Sequence, residues 1–285
     1  MVRHFAGWRG DNLDNYKAVA LLDSGVGGLT VVKEINRQLP SEHVVYFGDT
    51  ARMPYGPRPS EQVRLFSSQI IDFLLTQQIK MIIIACNSAA SAGLEHYRER
   101  VGLPLLDVIE PGVRAALRQT GNRKVGVIGT TGTIESGSYQ RVFQRLAPDV
   151  QVFSQACPLF VLVVENELVH APEVLGVAEE YLRPLKKAGV DTLILGCTHY
   201  PLLAEIIGRV MGPNVTLISS AEETASEARR ILEKKDLLCP PGGSLLHRFY
   251  VSGPAKNFRQ MAVKLLEKEI RAFQVVLDEE TPLLL

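Results

Sequence analysis

Two cysteines stand where a thiol can do chemistry. Cys86 follows the apolar run 81–85 and precedes Asn87-Ser88, while Cys197 follows the run 192–196 and precedes Thr198-His199-Tyr200-Pro201. Both runs read as buried strands, and both polar sequels lead toward a helix. A thiol at such a junction sits in the positive end of the helix dipole, which favours the thiolate, the reactive form of cysteine. A single cysteine of this kind reads as a nucleophile with His199 as its base. Two of them, brought face to face by pseudo-symmetry, read differently. One thiolate would remove a proton from one face of a carbon while the opposite thiol delivers a proton to the other face. Packing is the ordinary use of any one buried cysteine, but it does not explain a matched pair. His199 taken alone reads equally as a capping residue.

The match extends beyond the cysteines. Residues 86 and 197 are 111 positions apart, Asp107 and Ser219 are 112 apart in a second similar pair of strand ends, and Asp23 and Gly129 are 106 apart in a third. Three matches in order at nearly constant offset predict two homologous halves. Short apolar runs at 18–22, 44–47, 81–85, 105–109, 124–128, 150–154, 192–195 and 215–218 are rich in β-branched and aliphatic residues. That is how parallel strands read when helices cover both faces. Helical spacing fills 61–78, 91–100, 138–146 and 173–188 between them. The alternation predicts an α/β protein of two pseudo-symmetric, doubly wound parallel-sheet domains, with the active site in the cleft between them. The expected boundaries are a first domain of 18–110 plus 222–278, completed by a strand at 248–253 and a helix at 257–272, and a second of 111–221. Residues 1–17 and 279–285 read as an unpacked extension and tail.

Other strand ends carry polar residues of interest. Asp23-Ser24-Gly25-Val26-Gly27-Gly28 has the place of a phosphate loop, but Thr30 replaces the third glycine of a dinucleotide fingerprint, and no Walker lysine occurs. Gly27 and Gly28 therefore read as a tight turn with close helix–sheet contact, whereas a carboxylate such as Asp23 at a strand end has few structural reasons to be there. Asp49 and Arg52 read as a surface pair beside the turn Pro54-Tyr55-Gly56, and Glu165 as either a helix-end charge or a proton relay.

Composition narrows the function classes. The 285 residues carry 31 Lys+Arg against 31 Asp+Glu, so no net field draws in nucleic acid or anionic lipid. The longest apolar runs, 81–86 and 158–164, fall well short of the roughly 20 residues of a membrane span. No apolar segment of signal-peptide type precedes the first strand, and no CxxC occurs among the four cysteines. A cytoplasmic protein is expected, with no metal, no membrane and no nucleic-acid partner. Cys157 and Cys239 are expected to pack.

Taken together these segments resemble glutamate racemase, of the aspartate/glutamate racemase superfamily, from about Val19 to Phe273. The resemblance rests on Asp23-Ser-Gly-Val-Gly-Gly-Leu29, Gly48-Asp-Thr-Ala-Arg-Met-Pro-Tyr-Gly56, Ala85-Cys-Asn87, Cys157-Pro-Leu-Phe-Val161 and Gly196-Cys-Thr-His-Tyr-Pro201. It implies a cofactor-independent isomerase, a homodimer, that makes D-glutamate for bacterial peptidoglycan and so serves cell-wall biogenesis and cell shape. It further implies that Cys86 is the base for D-glutamate and Cys197 the base for L-glutamate. Asp23 and His199 would tune these thiols and Glu165 would assist. The same resemblance makes Asp23, Ser24, Tyr55, Gly56, Asn87, Ser88, Thr198 and His199 the substrate contacts. Departures from the family pattern are Ser88 for a usual Thr, Ala90 for a hydroxyl residue, Leu162 for Pro, and Glu165-Asn166-Glu167 for Glu-Glu-Gly. Rival readings are a racemase of aspartate or another acidic amino acid, a one-cysteine hydrolase or isomerase, and a non-catalytic binding protein for acidic amino acids.

Overall fold

The computed structural model describes residues 13–277. A 3-10 turn over Leu13–Tyr16 opens the described chain. The first run of alternating elements is β1 (Ala18–Asp23), α1 (Leu29–Gln38), β2 (Val44–Gly48), α2 (Ser60–Leu75), β3 (Ile79–Ile84), α3 (Asn87–Arg100), β4 (Leu105–Asp107) and α4 (Ile109–Gln119). The second is β5 (Lys124–Gly129), α5 (Thr131–Glu135), α6 (Ser138–Leu146), β6 (Gln151–Ala156), α7 (Leu159–Glu165), α8 (Glu173–Ala188), β7 (Thr192–Gly196), α9 (Ala204–Met211), β8 (Thr216–Ser219) and α10 (Ser220–Lys234). The chain then adds β9 (Arg248–Val251), α11 (Ala255–Leu266) and β10 (Ala272–Gln274).

Two wholly parallel sheets result, one ordered β10-β9-β2-β1-β3-β4 and the other β6-β5-β7-β8. The stretch β2-β1-β3-β4 has the same order as β6-β5-β7-β8, which is the topological form of the internal repeat. Strand β1 explains why its sequence is apolar throughout: Ala18, Ala20 and Leu22 enter a core shared with α2 and α3, while Val19 and Leu21 enter the opposite core under α1, α10 and α11. Alternate side chains thus meet helices on both faces, which leaves no place for a polar residue until the strand ends. A third core, built on α7, α8 and α9, covers the other face of the second sheet.

Three local expectations need correction. The helix read over 257–272 begins at Ala255 and stops at Leu266, because Glu267 turns into left-handed backbone (φ 55°) and the chain continues as the short edge strand β10. Residues 13–16, assigned to an unpacked extension, form a turn whose Asn15 carbonyl accepts a 2.6 Å hydrogen bond from the buried Lys80. Asp49 and Arg52 do pair, at 2.8 Å, but Asp49 is fully buried and the pair is not a surface one. The remainder of the expected extension, residues 1–12, and the tail 279–285 lie outside the described residues.

Candidate active site

In a sheet ordered β2-β1-β3-β4, the chain reverses direction across the sheet between β1 and β3, so their carboxyl ends flank a crevice where ligands bind. The second sheet repeats this at β5 and β7. The residues that end or follow these four strands are Asp23-Ser24, Cys86-Asn87-Ser88, Thr130 and Cys197-Thr198-His199. One small cavity gathers them. It is lined by Ser24, Tyr55, Gly56, Cys86, Asn87, Ser88, Cys197, Thr198 and His199, joined by Pro54, Thr130 and Val161. Of the ten residues chosen from sequence only Asp23 is not in the wall; it stands behind it, with no exposed surface.

The two thiols have different surroundings. Cys86 occupies the N-cap of α3 in extended backbone, with Sγ 3.6 Å from the Ser24 hydroxyl. Burial pushes its thiol up to about 12, the Asp23 carboxylate adds to this, and the Ala89 N–H and Ser24 hydroxyl partly oppose it. Asp23 accepts from the Gly25 N–H at 2.9 Å and from the Thr198 hydroxyl at 3.2 Å. Burial raises its pKa, against the pull of the His199 charge and those hydrogen bonds. Cys197 Sγ lies 3.6 Å from His199 Nδ1, and His199 Nε2 is held by the Glu165 carboxylate at the end of α7. Burial works against a charged His199, but its bonds to Cys197 and Glu165 win and hold its pKa well above the ordinary histidine range. Glu165 is therefore both a helix-end charge and the partner of the histidine. Negative charge on Cys197 also raises the Cys86 pKa.

The cavity wall is held by contacts that join the two sheets' loops. A Cβ on Gly27 would fall 2.3 Å from Thr198 Oγ1, so the β1–α1 turn needs glycine there to meet the β7 end. A Cβ on Gly28 would lie 2.7 Å from Asp23 Cβ, the close helix–sheet contact expected from sequence. Gly56 is likewise pressed on Thr130, at 2.6 Å, and its carbonyl accepts the Gly132 N–H at 3.0 Å. Ser88 Oγ and Thr130 Oγ1 are 3.0 Å apart. Tyr55 donates to the buried Asp49, which also accepts from Arg52 and, at 2.6 Å, from Ser252.

Sequence reasoning missed Pro54, Thr130 and Val161 as lining residues. For Thr130 the signal was present, since the repeat that aligns Asp23 with Gly129 aligns Ser24 with Thr130. Among the described residues no three His, Cys, Asp or Glu side chains are grouped to hold a metal ion, and all four cysteines are free and buried. No described helix is long and apolar enough to cross a membrane. The arrangement offers two thiols, a histidine–carboxylate pair and convergent N–H and O–H donors, a set suited to moving a proton beside a bound anion.

Comparison with known proteins agrees with that chemistry. Residues 22–228 match the family described as Asp/Glu/Hydantoin racemase. A glutamate racemase of Exiguobacterium sibiricum is 46% identical over 264 residues, covering 93% of this chain and 97% of that protein. The crystal structure of glutamate racemase isoform RacE1 from Bacillus anthracis superimposes with a TM-score of 0.90 at 43% identity, covering 94% of this chain and 99% of that one. Glutamate racemase from Francisella tularensis in complex with D-glutamate superimposes with a TM-score of 0.87 at 34% identity, covering 93% and 99%. On these grounds the chain belongs to the Asp/Glu/hydantoin racemase family.

Proposed function

We propose that this protein is a glutamate racemase that interconverts L- and D-glutamate by two-base proton transfer at Cα, without a cofactor. The observation that carries the reading is the wall of one cavity: Cys86 and Cys197 line it together, each at the end of an equivalent strand. The names of its relatives and the D-glutamate held by the Francisella enzyme support glutamate as the substrate.

In the L-to-D direction Cys197, as thiolate, takes the Cα proton and becomes a thiol. The electron pair left on Cα delocalises into the α-carboxylate. Cys86, held as a thiol by burial beside Asp23, delivers its proton to the opposite face and becomes the thiolate. The reverse reaction exchanges the roles, and solvent resets the protons. His199, charged because Cys197 and Glu165 both bond to it, donates toward the Cys197 sulfur and so supports the negative charge that is there before the L-to-D transfer and that develops there in the reverse reaction. Asp23 stands behind Cys86 with the opposite effect, its charge favouring the protonated thiol that delivers the proton. The Cα–H bond of an amino acid ionises with great difficulty, so donors must meet the developing charge. Ser24, Tyr55, Asn87, Ser88, Thr198 and the backbone at Gly56 are the groups assigned to hold the substrate. The D-glutamate produced would feed peptidoglycan synthesis.

The test is proton NMR of the purified protein with L-glutamate in D2O, with EDTA present. Loss of the Cα–H signal together with decay of optical rotation toward zero is expected. Persistence of that signal while aspartate exchanges would overturn the substrate assignment. Ligand-induced stabilisation without exchange of any acidic amino acid would favour a binding protein.

A further inference from the structure

Tyr139, the second residue of α6, reaches both cysteine-bearing strand ends and has no role in the scheme above. It is 1% exposed. Its hydroxyl donates a 2.7 Å hydrogen bond to Asn87 Oδ1, next to Cys86. Its ring lies on Gly196, next to Cys197, where an added Cβ would stand 3.1 Å from Tyr139 Cε2 and 3.3 Å from its oxygen. Gly196 thus makes room both for the Ile128 carbonyl, which would stand 2.6 Å from that Cβ, and for the ring at the end of β7. Asn87 is 2% exposed and lines the cavity, and its Nδ2 is buried without a hydrogen-bond partner.

A carboxamide is two-faced, with a carbonyl that accepts and an NH2 that donates. Turned one way, Asn87 offers donors to an anion in the cavity; turned the other, it offers a repelling carbonyl. A buried NH2 with no protein partner is the kind of group that a ligand must satisfy. We propose that Tyr139 is a positioning residue, which locks the Asn87 carboxamide with its NH2 directed to a carboxylate oxygen of the bound amino acid. The inference rests on the reading of the cavity as an amino-acid site. Burial keeps Tyr139 a neutral phenol, and the nearby Asp107 and Cys197 charges push the same way, so the O–H remains a donor throughout the working pH range. Because α6 follows β5 while Asn87 follows β3, the bond also ties substrate binding on one side of the cavity to the position of the other.

Tyr139→Phe keeps the ring and removes only the hydroxyl. Loss of an oriented donor to a charged group should raise KM for both enantiomers by about 10-fold or more, with kcat changed less than about threefold. Asn87→Ala should raise KM comparably. Adding Tyr139→Phe to Asn87→Ala should then cost nothing further in KM, since the phenol acts only through the amide. A merely structural tyrosine would lower the melting temperature of Tyr139→Phe and leave KM alone, or its effect would add in full to that of Asn87→Ala. Either result with an active wild-type enzyme overturns the positioning role. A wild-type protein that neither binds nor racemises glutamate overturns both this inference and the function on which it rests.

Discussion

Replacing Gly27 with alanine should damage one side of the site selectively. Gly27 is not in left-handed backbone, so backbone strain does not enter. The added Cβ would lie 2.3 Å from Thr198 Oγ1, 2.9 Å from Thr198 Cβ and 3.0 Å from His199 Nδ1. Ordinary van der Waals contact begins near 3.4 Å, so the β7 end must retreat by about 1 Å. Thr198 would lose its bond to Asp23, and His199 would shift relative to Cys197 Sγ. A 1 Å misplacement of reacting groups costs about 100-fold in rate. Overpacking of this size destabilises by about 1–3 kcal/mol, which lowers the melting temperature by roughly 2–4 °C per kcal/mol in a chain of this size. Gly176 supplies the matching control. It is exposed within α8 and an added Cβ meets nothing within 4 Å, so Gly176→Ala should stabilise by up to about 1 kcal/mol through helix propensity. The assay is circular dichroism of the racemisation in both directions, with thermal unfolding of both variants. If Gly27→Ala keeps kcat/KM within about twofold of wild type, the reasoning about the β1–α1 turn and the β7 end is wrong.

Other consequences concern charge. Either Cys86→Ser or Cys197→Ser should lower kcat by about 10²- to 10⁴-fold in both directions, the usual worth of a positioned acid or base; full turnover by either variant would exclude a two-thiol mechanism. Glu165→Gln removes one of the groups that raise the His199 pKa, so the alkaline limb of the kcat–pH profile should move to lower pH while the acid limb stays. Stability gained from a raised histidine pKa is fully present below the ordinary value of 6.5 and is lost as pH rises through the raised one. Urea melts should accordingly show Glu165→Gln most weakened near pH 6, with the gap closing at higher pH. Lys80 and Glu42 form a 2.6 Å ion pair with each side chain 1% exposed. Lys80→Met strands a buried carboxylate and should cost about 3–5 kcal/mol in the same melts, most of it recovered by adding Glu42→Gln; a loss under about 1 kcal/mol would contradict this.

Much of the fold was legible because its central strands are covered on both faces. An unbroken run such as 81–85 leaves little alternative once helical spacing follows it. Strand β10 was not legible, since a three-residue edge strand with Phe273 half exposed carries no alternation, and the helical pattern before it runs past its real end. The site was legible where chemistry-bearing residue types fall at strand ends, as with Cys86, Cys197 and His199. Asp49 misled because an i, i+3 acid–base pair looks the same on a surface as in a core; only the fold reveals that Tyr55 and Ser252 also converge on it. Thr130, Val161 and Tyr139 are ordinary residues of an α/β protein, and their importance comes from packing across the two sheets, which no local pattern records.

The most direct test of two opposed thiols is where the hydrogen goes. L-glutamate is incubated with the protein in D2O and the reaction is stopped after a few per cent conversion, before products recycle. The two enantiomers are then separated and weighed by mass spectrometry. If Cys197 removes the proton and Cys86, already equilibrated with solvent, supplies a different one, D-glutamate carries deuterium at Cα while the recovered L-glutamate keeps its hydrogen. Protium retained in the D-glutamate would mean that one group returns the proton it removed, and the two-cysteine mechanism would fall.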